Sequence, residues 1–180
     1  MFFNSPLISG NVENPKILII GDSLAHGFCN SPTKAFKNVL CISHFGMRSH
    51  IFQQNLDDCI LDYIVPSIKY VVWILGNNDD HIAPILLGIQ IGNIIKSVQN
   101  KCNNIINHFW WIPWRRSKQE SNILLQTSQS VFPNILPIYL YIDEKEDLKT
   151  DGVHLKDETY QELSKVLLTQ MKYRLQSQLY

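Results

Sequence analysis

The stretch from Lys16 to Ser23 constrains the fold more than any other part of the chain. Residues 16–20 read Lys-Ile-Leu-Ile-Ile, and such a run is typical of a strand that is buried on both faces of a parallel sheet. Gly21 permits a sharp turn after it, and Ser23 then lies at the carboxyl end of the strand, where open α/β sheets bind ligands. The tripeptide Gly-Asp-Ser is equally typical of an ordinary turn followed by a helix N-cap. Later segments must therefore distinguish a nucleophile from a cap.

Apolar runs alternate with segments of helical periodicity along the rest of the chain. Strands are predicted at 16–20, 39–43, 70–75, 105–111 and 138–142. Helices are predicted to begin at 30–33 and to cover 51–63, 84–100, 117–130 and 156–176, and residues 1–14 are predicted to be irregular. This alternation indicates a parallel sheet with helices on both faces and right-handed crossovers. No repeat or linker interrupts the pattern, so one domain spanning residues 1–180 is expected.

Composition narrows the classes of partner. The 180 residues suffice for a sizeable core, and a formal net charge of zero gives no global attraction to nucleic acid or anionic membranes. No apolar run approaches the ~20 residues that a membrane-spanning helix needs. The first residues lack a basic leader, and Asn4 and Pro6 interrupt any apolar core, so an intracellular location is expected. The four widely spaced cysteines predict reduced, mostly buried thiols.

Polar clusters follow three of the predicted strands. Ser23 follows the first, Asn78 the third, and Asp151 with His154 the fifth. Because the carboxyl ends of parallel strands share one edge of a sheet, these side chains are expected to converge. A hydroxyl, an imidazole, a carboxylate and an amide together suit acyl transfer. Each cluster alone is also compatible with a plain turn, or with a solvated loop that an aspartate caps.

The same clusters resemble the sequence blocks of the SGNH hydrolases of the GDSL esterase/lipase superfamily. The matching segments are Gly21-Asp22-Ser23-Leu24, the single Gly46, Gly76-Asn77-Asn78-Asp79 and Asp151-Gly152-Val153-His154-Leu155. They fall within residues 16–170, which is almost the whole chain. The resemblance implies a flavodoxin-like, three-layer α/β/α sandwich with a central parallel five-stranded sheet. It also implies ester hydrolysis without a metal or other cofactor.

The resemblance assigns a role to each matching position. Ser23 is the nucleophile, His154 the base, and Asp151 orients His154. The oxyanion hole consists of the backbone N–H groups of Ser23 and Gly46 and the side-chain amide of Asn78, while a misalignment of one residue would place Asn77 there instead. Asp22 and Asp79 are expected to brace the loops.

A second class of serine enzyme matches the sequence less well, and a few residues outside the matching segments are further candidates for the site. The common α/β-hydrolase fold expects G-x-S-x-G, but Ala25 stands where the second glycine belongs. Trp114 and Arg115 are candidates for substrate binding because their loop opens on the catalytic edge. The alternative for the 110–116 cluster is core packing of two tryptophans beside a solvated pair of arginines. His26 could line the pocket or be an exposed helix residue, and the exposed position is expected.

The predicted function is that of a serine esterase for acetyl or other short-chain acyl esters. The substrate is expected to be a small-molecule, glycan-linked or lipid-linked ester, and nucleic acid is not expected as a partner. One alternative is a catalytically silent binding or scaffolding module with the SGNH fold, for example in a viral or mobile-element protein. Another is a flavodoxin-like nucleotide binder.

Overall fold

A six-stranded sheet forms the centre of the structure, a computed structural model that describes residues 6–10, 13–30 and 38–177. The strands are Leu7–Gly10 (β1), Ile17–Gly21 (β2), Val39–Ser43 (β3), Tyr70–Ile74 (β4), Asn107–Trp111 (β5) and Ile135–Ile138 (β6). Their order is β1-β3-β2-β4-β5-β6. Strands β2 to β6 are parallel, whereas β1 pairs antiparallel with β3. The parallel five-stranded sheet in flavodoxin-like order is confirmed, and β1 adds an antiparallel edge strand.

Helices cover both faces of this sheet. They are Ser23–Asn30 (α1), Ser49–Gln54 (α2), Leu56–Cys59 (α3), Pro84–Lys101 (α4), Lys118–Val131 (α5), Glu144–Asp147 (α6) and Asp157–Ser177 (α7), with a 3₁₀ turn at Leu61–Tyr63. Helices α1 and α7 contact each other over one face, and α2, α4 and α5 pack over the other. The three-layer sandwich is therefore confirmed.

Strand β4 shows why its sequence is apolar throughout. Val71 and Trp73 point into the core beneath α4 and α5, whereas Val72 and Ile74 point into the core beneath α1 and α7. Successive side chains of a strand alternate between its faces, so a strand between two helical layers has no polar face.

Several predicted elements differ from the observed ones. Residues 7–10 form β1 rather than an irregular lead-in, and the helix predicted at 51–63 is divided among α2, α3 and the 3₁₀ turn. The last strand lies at Ile135–Ile138 rather than at 138–142. Pro137 is tolerated there because β6 is an edge strand, where a missing N–H breaks no ladder on the open side. The helix start predicted at 30–33 falls mainly on residues outside the described part of the chain.

The cysteines differ from one another. Cys41 in β3 is disulfide-bonded, whereas Cys59 and Cys102 are free. The prediction of reduced cysteines is therefore wrong for Cys41, and the side chain of Cys29 lies outside the described part. Disulfides persist mainly in oxidising compartments, so the Cys41 disulfide does not support an intracellular location. That location stays a prediction. No described helix combines the length and apolar character that crossing a membrane requires.

Helices α4 and α5 approach closely at two glycines. A Cβ on Gly88 would overlap the Thr127 hydroxyl and would lie 2.7 Å from the backbone oxygen of Leu124. A Cβ on Gly92 would lie 2.8 Å from the backbone oxygen of Ser128. Gly88 and Gly92 are one turn apart, so both face α5.

Substitution of Gly88 by alanine should therefore destabilise the protein. Alanine favours a helix over glycine by about 1 kcal/mol, but overpacking against a fixed backbone oxygen costs about 1–3 kcal/mol. Urea denaturation should show a lower free energy of unfolding for Gly88→Ala. The matched control is Ser97→Ala at an exposed position of α4, which should change stability by less than about 0.5 kcal/mol. Equal stability of the two variants would contradict the close packing.

Candidate active site

Ser23 begins α1 two residues after Gly21, the last residue of β2. A Cβ at Gly21 would overlap the backbone oxygen of Ile74, so only glycine allows β2 and β4 to approach this closely here. Asp22 then forms the turn, and its Oδ1 accepts a hydrogen bond of 2.9 Å from the Leu24 N–H. The helix cap that the sequence left open thus belongs to Asp22, and the half-buried Ser23 hydroxyl has no hydrogen-bond partner among the described residues.

Asp151 organises the loop that carries His154. Its Oδ1 accepts hydrogen bonds of 2.9 Å from the backbone N–H groups of both Val153 and His154. Its Oδ2 lies 2.7 Å from His154 Nδ1. These hydrogen bonds, first those from His154, hold the pKa of Asp151 well below its usual range. The carboxylate is therefore ionised and can only accept, so Nδ1 carries the proton and Nε2 is the remaining acceptor of the ring.

One cavity brings Ser23 and His154 together. It has a volume of about 240 Å³ and is lined by both residues. Its wall includes the buried side chain of Tyr160, against which Gly27 packs so closely that a Cβ would overlap the phenol ring. Phe45, which is 51% exposed, also lines it. The cavity therefore joins the carboxyl end of β2 to the loop before α7.

His26 belongs to this cavity, and the prediction of an exposed helix residue is wrong. Its half-buried ring lies 5.2 Å from the ring of Phe45 and lines the same space as Ser23. Burial lowers its pKa, which favours the neutral ring. One helical turn separates residues 23 and 26, and this spacing is the signal that places both on one face of α1.

Two backbone donors at or near Ser23 have no partner among the described residues. The Ser23 N–H lies at the start of α1, where helix N–H groups are unpaired and the helix dipole favours negative charge. The Gly46 N–H follows β3 in a turn with φ of +66°, a conformation that glycine adopts without strain. Both groups are oxyanion-hole candidates of the sequence analysis.

The two asparagines after β4 have different surroundings. Asn78 Nδ2 donates to Asp22 Oδ2 at 3.3 Å and to the Met47 backbone oxygen at 3.1 Å, so both of its N–H bonds are engaged. Asn77 is buried, and neither polar atom of its side chain has a hydrogen-bond partner in the described part of the chain. Asn78 thus ties together the loops after β2, β3 and β4, and Asn77 is a buried amide with unused hydrogen-bonding capacity.

Two buried carboxylates hold these loops in place. Asp22 is 1% exposed, and burial raises its pKa to about 7, with a further contribution from Asp79. Asp79 is fully buried, and its Oδ2 accepts hydrogen bonds from the Ser49 N–H at 3.0 Å and the Ser49 hydroxyl at 2.8 Å. These contacts agree with the predicted bracing of the loops.

Arg116 also braces the loop after β4. Its side chain is only 7% exposed, and Nη2 donates to the backbone oxygens of Asp79 at 2.7 Å and Ile82 at 3.0 Å. The interpretation of Arg115 and Arg116 as a solvated pair is therefore wrong for Arg116. The core alternative for Trp110 and Trp111 is correct, since both are fully buried.

The candidate substrate-binding residues lie elsewhere. Trp114 lines a second cavity, of about 310 Å³, together with Tyr139 and Tyr141. The Arg115 guanidinium lies 4.7 Å over the Trp114 ring and donates from Nη2 to the Gly152 oxygen at 2.6 Å. Neither residue lines the cavity that contains Ser23. Among the described side chains, no group of three or more His, Cys, Asp or Glu is arranged to hold a metal ion.

The sequence alone matches neither a known protein family nor a curated protein. The fold, by contrast, matches solved structures of esterases and lipases. A family 3 carbohydrate esterase from Clostridium thermocellum shares 16% identity and a TM-score of 0.68, over 91% of this chain and 98% of its own.

Two further structures show the same likeness. A psychrotrophic esterase from Pseudoalteromonas sp., solved in a form inhibited by monoethylphosphonate, is 17% identical with a TM-score of 0.63, over 91% of this chain and 100% of its own. A GDSL-like lipase from Bacteroides thetaiotaomicron is 16% identical with a TM-score of 0.57, over 92% of each chain. The chain thus has the SGNH hydrolase fold that its sequence blocks resemble.

Proposed function

We propose that this protein is a serine ester hydrolase that cleaves acetyl or other short-chain acyl esters. One observation carries the proposal: Ser23 and His154 line one cavity while His154 Nδ1 is bound by Asp151. This arrangement leaves Nε2 as the ring nitrogen able to take a proton from the serine. The esterases and lipases that share the fold support the same reaction class.

Acylation follows from these groups. The Ser23 Oγ attacks the ester carbonyl carbon, and its proton passes to His154 Nε2. Asp151 holds the imidazole in the required tautomer and stabilises the imidazolium that forms. As the tetrahedral intermediate collapses, the ester C–O bond breaks and the departing alcohol takes the proton from His154. The acyl group remains on Ser23.

Deacylation repeats these steps with water. His154 Nε2 takes a proton from the attacking water, and the second tetrahedral intermediate expels Ser23, which recovers its proton from the imidazolium. In both steps the oxyanion receives hydrogen bonds from the Ser23 and Gly46 N–H groups and from the Asn78 amide. Asn78 becomes available to the oxyanion by giving up its longer contact, the 3.3 Å hydrogen bond to Asp22.

The size of the cavity supports a small acyl group. Its volume is about 240 Å³, and the buried Leu155 and Tyr160 contribute to its wall. A cavity bounded in this way suits an acetyl or short-chain acyl group better than a long chain. The alcohol part is a small molecule or belongs to a glycan or lipid.

The first test compares hydrolysis of p-nitrophenyl acetate and p-nitrophenyl octanoate. We expect the wild type to turn over the acetate faster, and Ser23→Ala to lose turnover of both esters. A fluorophosphonate probe should label the wild type and not Ser23→Ala, which tests the nucleophile without depending on the alcohol. Folded wild-type protein that neither turns over nor becomes labelled would favour the binding or scaffolding module.

The pH dependence tests His154 as the base. We expect kcat/KM to rise with pH between pH 5 and 8, because a general base must be neutral to accept the proton of Ser23. Asp151 contributes no change there, since its pKa lies well below that range. Asp22, whose pKa is raised to about 7, ionises in the same window. The rise should therefore persist in Asp22→Asn, and its loss in that variant, or a flat profile from pH 5 to 8 in the wild type, would contradict His154 as the base.

Paired variants test the oxyanion amide. Asn78→Ala should lower kcat roughly 10²–10³-fold, the usual effect of removing one oxyanion donor. Asn77→Ala should have a much smaller effect on kcat, because in the proposed mechanism its amide does not reach the substrate. Circular dichroism and thermal unfolding check that both variants are folded. The opposite pattern would transfer the role to Asn77.

A further inference from the structure

A single peptide unit connects Arg115 to the carboxylate beside His154. Arg115 Nη2 donates to the Gly152 oxygen at 2.6 Å, and the Val153 N–H of the same peptide unit donates to Asp151 Oδ1 at 2.9 Å. A peptide unit is planar, so fixing its oxygen also fixes the direction of its N–H. Asp151 Oδ2 in turn accepts from His154 Nδ1 at 2.7 Å. The hydrogen bonds therefore run from Arg115 through one peptide and one carboxylate to the imidazole.

The Arg115 side chain is itself held in place. Its guanidinium stacks 4.7 Å over the Trp114 ring, and Nη1 lies 4.0 Å from Asp80 Oδ2. Only 30% of the side chain is exposed. Stacking of a planar guanidinium on an aromatic face restricts its rotation, so its N–H groups keep a fixed direction. The Arg115 guanidinium is thus held by the Trp114 ring and by Asp80 as well as by its hydrogen bond to Gly152.

A donor from outside the loop of residues 151–154 adds a restraint that the loop does not supply itself. Gly152 has φ of +67° and residues 151–153 are exposed, so the packed core does not immobilise this turn. The Lys149 N–H donates to the His154 oxygen, and the Gly152 N–H donates to the Lys149 oxygen, but these bonds lie within the loop. Arg115 adds a link to the segment after β5. Because its donor is charged, the bond is stronger than a neutral one and polarises the peptide, which strengthens the N–H bond to Asp151.

We propose that Arg115 is a positioning residue, which sets the orientation of Asp151 and His154 through the peptide between Gly152 and Val153. Its role in turnover rests on the proposed esterase function, whereas its effect on the His154 ring does not. Arg115 then acts without touching the substrate, unlike the substrate-binding role expected from the sequence.

Kinetics separate these two roles. In Arg115→Ala the peptide is released, Asp151 loses part of its alignment, and kcat for p-nitrophenyl acetate should fall roughly tenfold with KM unchanged. Loss of a substrate contact would instead raise KM. Arg115→Lys keeps the charge without the planar fork, so it should recover part of the lost kcat.

A second readout needs neither substrate nor turnover. Nitrogen-15 NMR of the histidine rings, in substrate-free protein above pH 7, reports which ring nitrogen of His154 carries the proton. The wild type should show a single tautomer protonated at Nδ1, and Arg115→Ala a mixture of the two tautomers. Lys145→Ala is the control, because it removes a positive charge from the exposed helix α6 before the same loop, and among the described residues no hydrogen bond joins the Lys145 side chain to Gly152. It should resemble the wild type in both experiments.

Each outcome is decisive once circular dichroism shows that the variants are folded. An unchanged His154 tautomer in Arg115→Ala overturns the proposal, and so does a raised KM with unchanged kcat. If Arg115→Ala does not fold, Arg115→Lys takes its place, with a partial shift of tautomer as the expected result and none as the contrary one. A tautomer shift in a protein whose wild type hydrolyses no ester and reacts with no fluorophosphonate would support Arg115 as the positioning residue and reject the esterase function.

Discussion

The parallel pairing of β2 with both β3 and β4 is the constraint on which the site depends. Ile20 is in register with Ile42 on one side and with Trp73 on the other, so all three strands end at the same level. The loops that carry Ser23, Gly46 and Asn78 therefore emerge side by side. Gly21 makes the pairing with β4 possible, since a side chain there would overlap the Ile74 oxygen. Ser23 is thus placed by the most buried part of the sheet, which is the part least free to move.

The buried polar groups behind these loops, Asp22 and Asp79, lower the stability of the fold but hold the loops in position. Asp22 and Asp79 are both buried, and the pKa of Asp22 is raised first by its burial and then by the nearby charge of Asp79, because like charges repel in a medium of low polarity. An apolar pair would pack at lower cost, but it would accept no hydrogen bonds from Leu24, Ser49 or Asn78. Buried, connected polar groups of this kind suit a site that must hold its geometry before the substrate arrives.

Sequence reasoning succeeded where one local signal determined the structure. Strand β4 and helix α4 were predicted almost to the residue, because a continuous apolar run and a proline at a helix start are unambiguous. Strand β6 was misplaced because Pro137 argues against a strand unless its edge position is known. The prediction of one helix over 51–63 was wrong because the spacing of apolar residues does not reveal the breaks between α2, α3 and the 3₁₀ turn.

The candidate site shows the same limit. The sequence blocks located Ser23, Asn78, Asp151 and His154, but nothing in them indicated that Arg116 is buried against the Asp79 and Ile82 oxygens. The Arg115 contact with Gly152 spans 37 residues and joins a side chain to a backbone oxygen, and such a pair leaves no trace in residue type or spacing. The disulfide of Cys41 was missed for a similar reason, since the sequence spacing of cysteines does not fix their pairing.

The Asp151–His154 loop shows how a structural and a catalytic interpretation can hold for one residue. The sequence allowed Asp151 to be a loop-capping aspartate, and Oδ1 does accept the Val153 and His154 N–H groups. Capping uses only that oxygen, however, and Oδ2 accepts a hydrogen bond from the imidazole of His154. A loop that needed only a cap would not require a histidine at residue 154. It would also not require the ring of that histidine to line the cavity that contains Ser23. Because one fold serves many functions, the case for ester hydrolysis depends on this second oxygen and on the shared cavity more than on the likeness of the sandwich to known esterases.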